Sequence, residues 1–299
     1  MLDAWGDHPA VRQTLDEASA ALGQDLASLI HNGPKEDLAL TTNTQPVMLV
    51  AGVAAYRAWR AEGGQAPAVV AGHSLGEYAA LVAAEVLTLA DAVPLVRLRA
   101  QAMQEAVPVG QGAMAAILGL TSAQVIEGCT QAQASFGADS TEVVDAANFN
   151  DPAQTVIAGS KAAVDKACEL LKGMGAKRAL LLPVSAPFHS RLMKPAAQRL
   201  QARLAEMNLH APSIPVLNNI DVSVETDPAR IRDALYRQAF GPVRWVECVQ
   251  AIKARGIGAV IECGPGKVLA GLTRRIDAEL LGGAVFDPAS LQETRTLLT

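Results

Sequence analysis

The sequence predicts an α/β protein in which a small domain is inserted into a larger one. Short apolar runs alternate with helical patterns along most of the chain, which is typical of a sheet covered by helices. Between residues 112 and 185 the order changes to β-α-β-β-α-β, the ferredoxin-like pattern. We therefore place a small domain at residues 111–186 and a large α/β domain with a short parallel sheet at residues 1–110 and 187–299.

The elements of the large domain follow from apolar spacing and from the positions of glycine and proline. The second predicted helix is entered through Pro46, and the third is expected to break near Pro94. The apolar run at residues 66–71 ends in glycine, as buried parallel strands often do. The predicted helices are 9–30, 46–62, 76–106, 191–207, 228–239 and one after residues 264–266; the predicted strands are 66–71, 214–219 and 258–262.

The small domain has four predicted strands and two helices. The turn-forming residues 150–152 separate its second and third strands. The strands are expected at 113–118, 143–148, 155–158 and 178–184, and the helices at 121–134 and 161–173.

Composition excludes several classes of protein. The chain has 299 residues and a net charge of −5, which argues against a nucleic-acid-binding protein, and its 50% hydrophobic content excludes disorder. The four cysteines form no C-x-x-C pair, so neither a zinc site nor a disulfide framework is expected. No apolar run is long enough to span a membrane, and residues 1–7 do not resemble a leader. We expect a cytoplasmic protein without a metal.

Residues 72–76 read Gly-His-Ser-Leu-Gly and lie between a predicted strand and a predicted helix, the context of a nucleophile elbow. The large domain is therefore expected to be hydrolase-like, with Ser74 on a sharp turn. Gly72 and Gly76 are expected because larger side chains would clash there. The backbone N–H of Leu75 would stabilise an oxyanion at the helix N-terminus. The alternative interpretation is a simple tight turn.

Ser74 needs a base, and His189 is the best placed histidine. It lies in the loop that returns from the small domain to the large one, so it would face the elbow across a cleft. An ordinary loop histidine is the alternative. His73 is expected to point away from Ser74 and to pack. No acid stands where a hydrolase triad would need one, so a backbone carbonyl would orient the imidazole of a Ser–His dyad.

Several motifs together carry a resemblance to a known family. They are Thr44-Gln45-Pro46, Ala71-Gly72-His73-Ser74-Leu75-Gly76-Glu77-Tyr78, Met103-Gln104-Glu105-Ala106-Val107-Pro108, Pro187-Phe188-His189-Ser190, Asn218-Asn219, Arg237-Gln238 and Gly264-Pro265-Gly266-Lys267. Over nearly its whole length the chain resembles the malonyl-CoA:acyl carrier protein transacylases, the acyltransferases of bacterial fatty acid synthesis.

The resemblance implies a role for each matching residue. Ser74 would carry the malonyl group as an ester, with His189 as general base and then general acid. Gln238 matches the residue whose backbone carbonyl orients the histidine. Arg99 matches the arginine that pairs with the malonyl carboxylate, a task suited to a planar guanidinium. Without the family, a solvated helix face would be the better interpretation of Arg99.

Three further residues bear on the substrate. Gln45 corresponds to a glutamine that lines the site, although its position next to a helix N-terminus is a simpler explanation. Leu75 after the serine and Phe188 before the histidine match the pattern of malonyl enzymes in the wider family. Phe188 would narrow the space for an α-methyl group, which discriminates by only about 1–3 kcal/mol.

The chain departs from the family at its front. The family begins with a hydrophobic strand and a Gly-Gln-Gly-Ser-Gln loop, whose glutamine supplies the second oxyanion-hole N–H; Met1 aligns just beyond that loop. The chain is therefore expected to lack one core strand and one oxyanion donor. Either the start site is assigned too far downstream or the enzyme is crippled. The first interpretation is favoured, because the rest of the site is intact.

The expected function is ping-pong transfer of a malonyl group from malonyl-CoA to the phosphopantetheine thiol of acyl carrier protein, by a monomer that needs no cofactor. A serine hydrolase or thioesterase, and a truncated inactive form that only binds the carrier, are the alternatives. An acidic carrier would require a local basic patch on this acidic chain. Candidates are Lys177, Arg178, Arg191, Lys194, Lys267, Arg274 and Arg275.

Overall fold

A 3₁₀ turn at Asp3–Trp5 and four α-helices precede the first strand in the computed structural model, which describes residues 1–298. The predicted helix over 9–30 is divided, because Gly23 adopts a left-handed backbone (φ 64°) that ends its first part. Pro46 lies inside a helix rather than at its start, since Thr44 Oγ1 donates to the Leu38 and Leu40 carbonyls and supports an extra turn. The helices are α1 (Pro9–Leu22), α2 (Leu26–Asn32), α3 (Lys35–Ala39) and α4 (Thr41–Ala61).

The next segment contains β1 (Val70–Ala71), α5 (Gly76–Ala83) and α6 (Leu89–Glu105). The expected break near Pro94 is wrong: Pro94 lies inside α6. The helices separate instead at Glu85, whose φ of 62° is left-handed. Thr88 then starts α6, because its side chain accepts a hydrogen bond from Asp91 N at 3.0 Å.

The small unit shows the predicted order of elements: β2 (Gly112–Leu118), α7 (Ser122–Ala134), β3 (Val144–Asp151), β4 (Gln154–Ser160), α8 (Lys161–Gly173) and β5 (Arg178–Leu181). Its strands form an antiparallel sheet in the order β3-β4-β2-β5. Ile117 and Ile157 from this sheet pack with Leu171 of α8 in a buried apolar cluster. Both helices therefore cover the sheet through one separate core.

The remainder of the chain returns to the large unit. A 3₁₀ turn at Arg191–Met193 is followed by α9 (Lys194–Ala205), β6 (Val216–Leu217), α10 (Pro228–Phe240), α11 (Trp245–Ala254), β7 (Ala259–Cys263), α12 (Val268–Ile276), β8 (Leu281–Val285) and α13 (Pro288–Leu297). The sequence prediction missed α11, β8 and α13. Among residues 1–298, no helix combines the length and the apolar character needed to cross a membrane.

The parallel sheet of the large unit is in two pieces. β1 pairs with β6, with Val70 opposite Val216, and β7 pairs with β8. A cavity of about 420 Å³ is lined both by residues 69–72 around β1 and by residues 259–263 of β7, with α4 and α5 contributing further lining. All residues of β7 are partly exposed, and this cavity lies between the two pairs of strands.

Strand β3 attaches the small unit to the large one. Phe149 N donates to the Val243 carbonyl, and Val243 N donates to the Ala147 carbonyl, each at 2.9 Å. Two ion pairs add to this seam: Arg191 binds the Asp145 carboxylate, and Arg275 Nε lies 2.8 Å from Asp151 Oδ2. Arg191 and Arg275, two candidates for a basic patch, are thus each paired with a carboxylate at this seam.

Candidate active site

Ser74 occupies the turn between β1 and α5, with a left-handed backbone (φ 52°). A Cβ on Gly72 would lie 2.0 Å from the carbonyl carbon of Gly76, so a side chain at position 72 is excluded. A Cβ on Gly76 would meet nothing within 4 Å. The expectation that both glycines avoid a clash is therefore correct for Gly72 and wrong for Gly76, which faces open space.

Asn219, just beyond β6, holds this turn at two points. Its Oδ1 accepts a hydrogen bond from Ser74 N at 2.7 Å, and its Nδ2 donates to the Gly72 carbonyl at 2.8 Å. Leu75 follows Ser74 in the chain and immediately precedes α5, so its N–H stands at a helix N-terminus. These contacts keep the serine in a conformation that a β-carbon disfavours.

His189 reaches Ser74 from the loop that follows the small unit. Its Nε2 lies 2.6 Å from Ser74 Oγ, and its own backbone is left-handed (φ 61°). Nδ1 faces two carbonyls, those of Gln238 at 2.9 Å and Gly241 at 3.2 Å, so Nδ1 carries a proton and Nε2 is the acceptor. Burial lowers the pKa of His189 to about 3, and the positive charge of Arg99 acts in the same direction. An uncharged imidazole able to accept the serine proton results.

Arg99 of α6 is 3% exposed and points at the same hydroxyl. Its Nη2 lies 3.2 Å from Ser74 Oγ and 3.3 Å from Gln238 Oε1, while Nη1 donates to Gln45 Oε1 at 2.7 Å. The guanidinium also sits 5.5 Å from the centre of the Tyr78 ring. The solvated-face interpretation of Arg99 is therefore wrong, since a buried guanidinium beside the nucleophile is suited to binding an anion.

Two further candidates from the sequence are Gln45, which contacts Arg99, and Phe188, which precedes His189 in the chain. Gln45 is buried and orients Arg99. Phe188 is partly buried and packs against the apolar clusters of both units, which places its ring at their junction. His73, expected to pack, lies edge-on to Trp245 at 5.7 Å, and its Nε2 donates to Asn150 Oδ1 at 2.8 Å.

Glu77 and Asn219 have no role predicted from the sequence, although both lie in the motifs that carry the resemblance. Glu77 is a buried carboxylate on α5 and accepts hydrogen bonds from Asn219 N and from Gln238 Nε2. One signal was visible in the sequence: Glu77 is the sole charged residue of an otherwise apolar helix, which favours a buried and bonded carboxylate.

The chain matches a known protein family over most of its length. A family model described as "Acyl transferase domain" matches residues 6–278. The chain belongs to the acyl transferase family. The malonyl CoA-acyl carrier protein transacylase of Escherichia coli (strain K12) is 50% identical over 291 residues, which cover 97% of this chain and 92% of that protein.

Two solved structures place this acyl transferase among close relatives. The acyl-carrier-protein S-malonyltransferase of Burkholderia pseudomallei 1710b superposes with a TM-score of 0.95 at 63% identity, covering 99% of this chain and 94% of that one. A malonyl-transacylase in complex with a type II PKS acyl-carrier protein superposes with a TM-score of 0.91 at 48% identity, covering 95% and 91%. The mixed α/β architecture of this acyl transferase is thus that of malonyl transferases.

Proposed function

We propose that this acyl transferase moves a malonyl group from malonyl-CoA to the phosphopantetheine thiol of acyl carrier protein through a malonyl ester on Ser74. One observation carries the proposal: Ser74 Oγ lies 2.6 Å from a base, His189 Nε2, and 3.2 Å from a buried guanidinium, Arg99 Nη2. A nucleophile, its base and a carboxylate receptor thus meet at one atom. We interpret the large unit as hydrolase-like, the Ser74 turn as a nucleophile elbow and the small unit as ferredoxin-like.

The first half-reaction acylates the enzyme. His189 Nε2 takes the Ser74 hydroxyl proton as Oγ attacks the thioester carbonyl carbon. The oxyanion that forms is stabilised by the Leu75 N–H at the start of α5. The carbon–sulfur bond then breaks, and His189 returns its proton to the departing CoA sulfur. The Gln238 carbonyl accepts the Nδ1–H hydrogen bond throughout, so the imidazole keeps its orientation toward Ser74.

The second half-reaction runs the same steps with another thiol. The phosphopantetheine sulfur gives its proton to His189 Nε2 and attacks the ester carbonyl of malonyl-Ser74. The oxyanion collapses, the bond to Ser74 Oγ breaks, and His189 protonates that oxygen. Because both thiols end the same kind of arm, one cleft serves both halves, without a cofactor and within a monomer.

Arg99 explains the choice of malonyl over acetyl groups. Both guanidinium nitrogens that face the site are held by amide oxygens of Gln45 and Gln238, which fixes the plane of the fork for two oxygens of a carboxylate. Without that carboxylate the buried cation is left partly unpaired, so an acetyl group lacks the favourable ion pair with Arg99. Phe188 would disfavour an α-methyl branch by about 1–3 kcal/mol.

The carrier would dock where cations remain available. A solved relative is a complex with an acyl-carrier protein, which supports a protein partner for this chain as well. With Arg191 and Arg275 neutralised, the candidates that form no ion pair in the described part of the chain are Lys177, Arg178, Lys194, Lys267 and Arg274.

A serine hydrolase is the alternative that the Ser–His geometry alone would also permit. Two carbonyls occupy the place of a triad acid at His189 Nδ1, and Arg99 serves a substrate with a free carboxylate. Both features favour transfer of a malonyl group, as do the names of the relatives.

The test is a transfer assay with malonyl-CoA labelled in the malonyl group. The label should appear on the thiol of holo-acyl carrier protein, and Ser74→Ala should abolish this transfer. Free malonate appearing faster than the labelled carrier would instead identify a hydrolase, and carrier binding without any transfer would identify an inactive binding form.

A further inference from the structure

Glu77 is a carboxylate that the reaction above does not use. It is 2% exposed and lies on α5, three residues after the nucleophile. A single atom, Oε2, accepts two hydrogen bonds: from Asn219 N at 2.9 Å and from Gln238 Nε2 at 3.1 Å. Its two donors come from distant parts of the chain, one following β6 and the other in α10.

The bond to Asn219 leads to the nucleophile. With its backbone N–H anchored on Glu77, Asn219 presents its side-chain amide to Ser74 N at 2.7 Å and to the Gly72 carbonyl at 2.8 Å. The left-handed Ser74 turn is thus held by a residue whose own position depends on Glu77.

The bond to Gln238 leads to the base. Gln238 Nε2 donates both to Glu77 Oε2 and to the Ser74 carbonyl at 3.0 Å, and the Gln238 backbone carbonyl accepts the proton of His189 Nδ1 at 2.9 Å. Gln238 is fully buried, so water cannot replace a lost partner. The same side chain also meets Arg99 Nη2 through its Oε1.

A buried carboxylate is costly unless bonds and charges offset its desolvation. Burial raises the pKa of Glu77 to about 7, while the bonds from Asn219 and Gln238 and the charge of Arg99 act in the opposite direction. An apolar residue would leave Asn219 N without an acceptor and Gln238 Nε2 with the Ser74 carbonyl alone, and both members of the catalytic pair would be affected.

We infer that Glu77 is a positioning residue of this site: one carboxylate oxygen fixes the Ser74 turn through Asn219 and the His189 ring through Gln238, whose backbone carbonyl accepts from His189 Nδ1. The inference rests on the proposed function, since it concerns the same nucleophile and base. It extends that function by adding a residue that touches no substrate.

A fluorophosphonate probe tests the inference without malonyl-CoA. Ser74 Oγ attacks phosphorus, the P–F bond breaks, fluoride leaves and His189 takes the proton, so the rate reports the alignment of the pair. Glu77→Gln retains an oxygen acceptor at the same place, whereas Glu77→Leu removes it and Glu77→Asp withdraws it by one methylene. Glu262→Leu is the matched control, because Glu262 is a partly buried carboxylate on β7 that binds Ala270 N.

Per folded molecule, Glu77→Gln should react within about three-fold of the wild type, and Glu77→Leu and Glu77→Asp about 10- to 100-fold more slowly. Glu262→Leu should lower the melting temperature and leave the rate unchanged. If Glu77→Leu does not fold, Glu77→Asp decides. A near-normal rate in the Asp variant, a Gln variant as slow as Asp, or a wild-type Ser74 inert to the probe overturns the inference. A wild type that reacts with the probe but accepts no malonyl group contradicts the proposed function alone.

Discussion

Ser74 and His189 are 115 residues apart in the chain, yet their reactive atoms lie 2.6 Å apart. Both also have left-handed backbones, with φ values of 52° and 61°. Within residues 1–298, the other non-glycine residues with positive φ are Glu85 and Val222. Strain of this kind persists only where the surroundings hold it. Here Asn219 holds the serine, and two carbonyls hold the histidine ring.

The two glycines of the Ser74 turn should differ sharply in tolerance. Gly72→Ala places a Cβ 2.0 Å from the Gly76 backbone and should abolish acylation, because the turn cannot close. Gly76→Ala places a Cβ in open space and should retain activity within about three-fold, since surface-like substitutions cost little. Single-turnover acylation rates of the two purified variants make the comparison. Equal losses of acylation rate in both variants would show that the close approach of position 72 to the Gly76 backbone does not determine the turn.

His189 should remain uncharged in the folded protein throughout the neutral range. Its ring signals, followed by NMR in labelled protein, should not titrate between about pH 5 and 8, whereas in urea they should titrate near the ordinary value of about 6.5. A titration near 6.5 in the folded state would contradict the lowered pKa.

The same shift sets the sign of a stability effect. Because folding lowers the pKa of His189 from 6.5 to about 3, the uncharged ring's contribution to the free energy of unfolding is fully present above pH 6.5. It is lost as the pH falls toward 3, since the unfolded chain takes up the proton first. Acid destabilisation across this window should be weaker in His189→Gln, as measured by urea unfolding at several pH values.

Replacing Arg99 should change the choice of substrate more than the chemistry. Arg99→Gln should lower kcat/KM for malonyl-CoA by about 10²- to 10³-fold, because a buried charge pair is lost, while activity toward acetyl-CoA is unchanged or higher. Arg97→Gln is the matched control. Arg97 lies two residues before Arg99 on α6, about half a helical turn away, and its side chain binds Gln24 and Asn43 instead. A parallel loss for both thioesters would remove Arg99 from carboxylate recognition.

The cavity lined by β1 and β7 should accept a larger side chain. Ala83 lines the 420 Å³ cavity, whereas its neighbour Ala84 is fully buried in the main core. Ala83→Leu should raise the melting temperature, as cavity-filling changes typically add about 0.5–2 kcal/mol, and Ala84→Leu should lower it through overpacking that costs about 1–3 kcal/mol. Thermal unfolding by circular dichroism measures both. Destabilisation by Ala83→Leu equal to that by Ala84→Leu would show that the cavity cannot be filled.

The order of elements in the small unit was predictable because each strand and helix there carries its own period and turn residues. The separation of α5 and α6 at Glu85 was not predictable in this way. Proline is the residue expected to interrupt a helix, but Pro94 lies within the first two turns of α6, where it is tolerated. The missed strand β8 reads Leu-Gly-Gly-Ala-Val, whose glycines suppress any strand signal. Its pairing with β7 comes from tertiary contact alone.

The residues of the site likewise fall into those that local sequence predicts and those that it does not. Ser74 and His189 are predictable from local context, whereas the local pattern around Arg99 favours a solvated helix face. Its burial depends on Gln45, 54 residues earlier, and on Gln238, 139 residues later. The role of Glu77 depends on two bonds that span 142 and 161 residues. No local pattern contains such separations.

The central claim is that Ser74 carries the malonyl group between two thiols. The most direct measurement is mass spectrometry of peptides after brief incubation with malonyl-CoA and acid quenching. We predict one malonyl group on the peptide that contains Ser74, absent from Ser74→Ala and removed on adding holo-acyl carrier protein. A malonyl group on another residue, or a carrier that becomes malonylated while Ser74 never does, would contradict it.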